Sequence, residues 1–146
     1  MLLDETWVRW TRSLDSALTG GAQSTFVAAA VLGNVVVGVT AGDSRAYLVP
    51  LDGQTRLLSD QASKARLGSG ETEPAVFRAT LAPRDILILA SDGAWGPLGP
   101  QGIDRAVRSA LGRHFSEMPE VVLDAAGKRG RGDDMTVLAL RLNPVG

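Results

Sequence analysis

Three carboxylates in this 146-residue chain stand where chemistry could be done: Asp92 and the pair Asp133-Asp134. Asp92 follows the unbroken apolar run Ile86-Leu87-Ile88-Leu89-Ala90 and its Ser91, and it precedes Gly93-Ala94-Trp95. A short continuous apolar run bounded by turn residues predicts a strand buried on both faces. A carboxylate just past such a strand is held by rigid backbone yet reaches solvent, which suits a metal ligand. The plainer reading is that Asp92 opens a turn or caps the next helix. Asp133-Asp134 likewise introduces an apolar stretch, Thr136 to Leu142. If the two strands are sheet neighbours, their carboxylates converge on one rim. Clustered carboxylates without His or Cys favour hard, oxygen-preferring cations such as Mg2+ or Mn2+. Against that stands the reading of Asp133 and Asp134 as turn residues bonding their own backbone.

The elements that must position these groups are legible along the chain. Leu3, Trp7, Trp10, Leu14 and Leu18 recur at helical spacing and stop at Gly20-Gly21, predicting an amphipathic helix with two buried tryptophans. A core-facing helix is the expectation; a membrane-surface or partner helix is the sharper alternative. From Phe26 the period changes. Phe26 to Leu32 and Val35 to Val39 flank Gly33-Asn34, a two-residue hairpin signal. Further strands are expected over Arg45 to Val49 after the turn Gly42-Asp43-Ser44, over Thr55 to Leu58 after Asp52-Gly53, and over Ala75 to Leu81. The first four form an antiparallel meander too apolar for one layer, so two layers are required. Ser59 to Pro74 is polar and glycine-containing, an irregular and mobile loop. Pro97, Gly99, Pro100 and Gly102 break the chain. Two helices follow, one carrying Ile103, Ala106, Val107, Ala110 and Leu111. The other runs from Met118 to Ala126 with Pro119 in its first turn. Lys128 to Gly132 is a basic loop before the last strand.

Composition narrows the function. Hydrophobic residues are 45% and charged ones 21%, so one ordinary globular domain over residues 1–146 is expected. A net charge of -1 gives no electrostatic case for nucleic acid or an anionic membrane. With no cysteine, thiolate chemistry and disulfides are excluded. No signal peptide is visible after Met1, and no apolar run is long enough to span a bilayer, so a cytoplasmic location is expected. His114, the only histidine, reads as a solvated or capping residue near a helix end. Arg129 and Arg131 could meet phosphate or simply be solvated. Ser24 and Ser44 have no histidine within motif distance, so serine nucleophilic chemistry has no support.

Several segments then occur in an order that resembles the metal-dependent Ser/Thr protein phosphatases, the type 2C or PPM superfamily. Gly20-Gly21-Ala22-Gln23-Ser24-Thr25 resembles the family's G-x-S/T-A segment, and Val39 to Tyr47, containing Gly42-Asp43-Ser44-Arg45, resembles its GDSRxY segment. Leu87 to Trp95 resembles LLxxSDGLW, and Gly132-Asp133-Asp134-Met135-Thr136-Val137 resembles the terminal G-x-D-N/D-x-T-V. Arg66-Leu67-Gly68 and Glu73 to Phe77 are similar to the stretch that precedes the SDG strand in bacterial members.

The resemblance implies an α+β protein, a β-sandwich flanked by helices (αββα), with a two-metal site at one end. It implies hydrolysis of phosphoserine or phosphothreonine by a metal-activated water, with a phosphoprotein as substrate and Mg2+ or Mn2+ as cofactor. Asp92 and Asp133 match metal ligands, Asp134 is given no ligand role, and Asp43 matches a structural turn position whose carboxylate should bond nearby backbone N–H groups. No catalytic residue outside the ligands is assigned. The family's D-G-x-G-G segment and the basic residue upstream of it do not occur before Gly20, so the domain reads as N-terminally truncated. Leu58-Ser59-Asp60-Gln61 stands where the family has T-x-D-H. Two ligands suit one weakly held, hydrated ion, so partial metal occupancy and impaired activity are expected. The alternative is an inactive phosphatase-fold interaction or regulatory domain. Apolar faces left without a partner strand predict a homo-oligomer, through the sheet region or the Trp7/Trp10 helix. A structural β domain unrelated to phosphatases requires Asp92 and Asp133 to lie far apart.

Overall fold

A computed structural model describes residues 2–60, 63–130 and 133–143. Its contacts gather into two compact units, Met1–Ser44 with Leu58–Thr80 and Arg45–Leu57 with Leu81–Gly146. Every predicted element forms, most of them within a residue or two of the expected ends.

In the first unit, helix α1 (Leu2–Ala17) precedes strands β1 (Phe26–Leu32) and β2 (Val35–Ala41), joined by the expected turn at Gly33-Asn34. Strand β5 (Ala75–Thr80) completes a sheet of order β1-β2-β5, antiparallel throughout, with Ala29 opposite Gly38 and Gly38 opposite Phe77. The helix packs on β2 and β5. Thr11 is fully buried beneath it and donates its hydroxyl to the Trp7 carbonyl at 2.8 Å. The expectation of two buried tryptophans is corrected here. Trp7 is half-buried, whereas Trp10 is 49% exposed and meets Phe26 edge-on, ring centroids 5.8 Å apart. Three strands make a narrow platform, and a residue at the margin of the helix stripe overhangs it.

Residues 63–74 are irregular, as predicted, but they are tied down. Ser24 and Leu67 exchange backbone hydrogen bonds at 3.1 and 2.9 Å. The Asp15 carboxylate, in the last turn of α1, accepts from the backbone N–H groups of Gly68 and Gly70 and from the Thr72 hydroxyl. Gln61, part of the segment compared with T-x-D-H, lies outside the described residues.

In the second unit, β3 (Arg45–Val49), β4 (Arg56–Leu57), β6 (Ile86–Ala90) and β7 (Val137–Arg141) form an antiparallel sheet of order β4-β3-β6-β7. The predicted meander is therefore wrong in one respect. β2 and β3 never pair, and Gly42-Asp43-Ser44 is a bend that carries the chain from one sheet to the other. Turn residues mark a change of direction but do not say whether the strands they join become neighbours. Helix α2 (Asp92–Ala110) kinks at Gly99, whose φ of 61° and ψ of 178° break the predicted helix from the segment that starts at Asp92. Helix α3 (Met118–Gly127) follows a short 3-10 turn at Phe115–Glu117. Ile86, Ile88 and Ala90 of β6 join Tyr47, Ile103, Val107 and Val122 in one apolar cluster. Leu87 and Leu89, on the opposite face of the strand, are buried as well, as a continuous apolar strand predicts. No described helix is long and apolar enough to cross a membrane.

Candidate functional site

The antiparallel pairing of β6 with β7 sets Ala90 opposite Val137. Asp92 lies two residues beyond Ala90 and Asp133 four residues before Val137, so both leave the sheet at the same end. Ser91 extends the pairing past the last ladder position. Its N–H donates to the Thr136 carbonyl at 3.0 Å, and its Oγ accepts from the Thr136 N–H at 2.9 Å. The acidic segment is thereby pressed onto Gly93. A Cβ at that position would stand 2.5 Å from the Asp134 carbonyl oxygen and 3.1 Å from the Asp133 Cβ. Only glycine fits there, which is the steric reason for its place after Asp92.

Asp92 and Asp133 line one cleft of about 420 Å³ together with Gly93, Pro97, Gly127, Gly130 and Met135. The structure thus brings the two together, and the condition for an unrelated β domain is not met. Asp134 contributes its backbone to the packing against Gly93. Asp92 is the first residue of α2, and its Oδ1 accepts from the Gly93 N–H at 3.0 Å. A carboxylate in the first helical turn is favoured by the helix dipole, so the plainer role and the ligand role are compatible.

Two side chains fix the helix that carries Asp92. Arg45, at the start of β3 and opposite Ala90, places its guanidinium 3.4 Å from the centre of the Trp95 ring. That cation–π contact joins the GDSR segment to the SDG segment. Beneath it Tyr47 is fully buried, and burial pushes its phenol up, partly opposed by Arg45. Sequence reasoning missed Ser91 and the Arg45–Trp95 pair. A serine next to the acidic turn was a signal for the first; nothing local signals the second.

The remaining candidates lie elsewhere. Asp43 sits in the bend between β2 and β3, which belong to different sheets, so the expected hairpin around it does not form; its carboxylate accepts from Arg66 at 3.2 Å. His114 caps the 3-10 turn, its Nδ1 2.7 Å from the Ser116 Oγ and its N–H donating to Glu117. Ser44 donates to the Thr25 hydroxyl at 2.9 Å. Arg129 lies beside Gly102 of α2. Arg131 and Gly132 lie outside the described residues.

The cleft can be tested against the metals that the resemblance implies. Among the described residues no group of three or more His, Cys, Asp or Glu is placed to hold an ion. Two carboxylates with hard oxygen donors fit one Mg2+ or Mn2+ that keeps most of its water, and they do not furnish a two-metal centre.

The two antiparallel sheets with their helices define the fold of the PPM, or type 2C, phosphatases. The solved serine/threonine phosphatase PstP/Ppp of Mycobacterium tuberculosis matches with a TM-score of 0.76 at 20% identity, over 92% of this chain and 68% of that one. The catalytic domain of PstP in complex with two manganese ions matches with a TM-score of 0.73 at 21% identity, over 94% and 68%. A bacterial serine phosphatase matches with a TM-score of 0.77 at 18% identity, over 97% and 69%. The chain therefore spans about two thirds of the length of these phosphatases. Comparison with curated proteins gives no match. The profile of the Stage II sporulation protein E (SpoIIE) family matches residues 4–143, and the chain belongs to that family, a PPM-type one.

Proposed function

We propose that the chain is a protein serine/threonine phosphatase domain of low activity, acting on phosphoserine or phosphothreonine of a protein substrate. One observation carries this reading: Asp92 and Asp133, 41 positions apart, line one cleft at the end of a buried strand pair. These two side chains would hold a single Mg2+ or Mn2+, whereas the structurally similar PstP catalytic domain is in complex with two manganese ions. Such an ion supplies charge to balance phosphate oxygens and lowers the pKa of a bound water. The protein's part is positional. Ser91 holds the Asp133 segment to the end of β6, and Arg45 and Trp95 hold the first turn of α2. Gly93, Gly127 and Gly130 leave part of the cleft wall without side chains, so a phosphoryl group meets backbone there. A single weakly held ion would activate such a water only incompletely, and slow turnover is the expected result.

Calorimetric titration with MnCl2 and hydrolysis of p-nitrophenyl phosphate test the reading together. One weak site is expected, with metal-dependent turnover far below that of the PstP catalytic domain assayed alongside, and Asp92→Ala should abolish both. No binding and no turnover would instead assign a non-catalytic interaction domain. Two tight sites and full turnover would overturn the single-ion site.

A further inference from the structure

The residues that line the cleft of Asp92 and Asp133 divide by chemistry. Among the described ones, the two aspartates are the only charged groups, and the glycines contribute backbone. The remaining side chains, Pro97 and Met135, are apolar. Met135 stands between two anchored residues. Before it the Asp134 carbonyl packs on Gly93, and after it Thr136 is bonded to Ser91 through both backbone groups. Its Cε reaches the end of α3, 3.8 Å from where a Cβ on Gly127 would lie, yet the residue remains 37% exposed. A lone exposed methionine carries no meaning by itself; this one borders the two carboxylates. Pro97 is half-buried, and Gly130 comes so close that a Cβ there would lie 2.9 Å from the proline Cγ. The nearby cations are turned to other uses or absent from the lining. Arg129 Nη1 lies 3.5 Å from where a Cβ on Gly102 of α2 would be, and neither Lys128 nor Arg129 lines the cleft.

We propose that Pro97 and Met135 form a subsite for an apolar side chain immediately next to the phosphoserine or phosphothreonine of the substrate. The cleft thereby selects phosphopeptides with an aliphatic or aromatic neighbour over those with Asp or Glu there. The inference rests on the phosphatase reading of the cleft and names its substrate class. A volume of about 420 Å³ takes a phosphorylated side chain and part of one neighbour, and ligand clefts generally begin at roughly 300 Å³. An apolar neighbour removes water from Pro97 and Met135, which is favourable in proportion to the area covered. Methionine is unbranched and adapts its shape, so it selects an apolar class and not one particular side chain. An acidic neighbour meets the opposite situation. Two carboxylates, one divalent ion and a phosphoryl dianion leave the site negative, and no cation in the lining compensates a further charge. That repulsion is the discriminating element against acidic sequences.

The test compares peptides of one sequence that carry a single phosphoserine and either Leu or Glu directly before or after it, in the presence of MnCl2. On one side of the phosphoserine, Leu should exceed Glu in kcat/KM by roughly tenfold. Fluorescence polarisation of the matching phosphonate peptides, which cannot be hydrolysed, should give the same order in Kd. Met135→Ala should shrink the ratio severalfold. Met135→Lys should bring it to unity or invert it, because an ammonium group there pairs with Glu. Circular dichroism checks that both variants fold, and if neither does, the order among peptides on the parent chain decides. The two readings fail separately. Ordered binding without any turnover sinks the phosphatase reading and keeps the subsite. Turnover with no preference for Leu, or a preference unchanged in folded Met135→Lys, overturns the subsite and keeps the phosphatase. Binding of none of the peptides overturns both.

Discussion

Gly93 shows how closely the two acidic segments approach. The space that a methyl group would take is already filled by the Asp134 carbonyl oxygen, 2.5 Å from where the carbon would lie. Backbone cannot step aside there, because Ser91 pins the same segment through Thr136 on one side and the helix begins on the other. Gly93→Ala should destabilise the protein by about 1–3 kcal/mol, the usual cost of overpacking, measured by urea denaturation. The same substitution should weaken Mn2+ binding, since the Asp133-Asp134 segment must shift to make room. At this scale the sequence was informative about residue type and poor about partners. Asp92 and Asp133 were visible because each follows or precedes an apolar run. The bond from the Thr136 N–H to Ser91 joins residues 45 positions apart, and no local pattern announces it. Asp43 shows the same limit: the residue was noticed, but its ion pair with Arg66 comes from a distant loop that no local pattern announces.

Elements were legible where periodicity and turn chemistry agreed. β1, β3 and β6 run over the residues expected of them, because apolar runs between Gly, Asn and Asp leave little freedom in register. What the pattern could not settle was pairing, and β2 and β3 went to different sheets. The loop after β4 shows a second kind of information that local reading lacks. Its fixed part depends on Asp15 at the far end of α1. Desolvation pushes that carboxyl up, but bonds from the Thr72 hydroxyl and from the N–H groups of Gly68, Gly70 and Thr72 outweigh it. The net effect holds the pKa below its ordinary value of 3.8. A carboxyl whose pKa falls on folding contributes stability above its unfolded value, and the contribution is lost as pH drops through the folded value. Asp15→Ala should therefore lower Tm at neutral pH, and the gap to the parent protein should close below about pH 3.8. Thermal melts across that range check it, and a gap that persists unchanged into strong acid would count against the charged latch.

For the molecule as a whole, the chain belongs to a PPM-type family and shares its fold, and among the described residues no group of three or more His, Cys, Asp or Glu is placed to hold an ion. If the single site proposed for Asp92 and Asp133 exists, linkage sets the size of its effect. Mn2+ at roughly tenfold above its dissociation constant adds about 1.4 kcal/mol to stability, a rise of a few degrees in Tm for a chain of this length. That rise should vanish in Asp92→Ala and be absent with a monovalent salt at equal ionic strength. By itself the sequence determined the class of each element, the apolar core strand and the identity of the acidic residues, since these follow from periods of two and 3.6 and from side-chain chemistry. Only the tertiary structure decided which strands became neighbours and which end of the sheet the two aspartates share. Those outcomes depend on hydrogen bonds and packing between residues far apart in the chain, where no single segment holds the information.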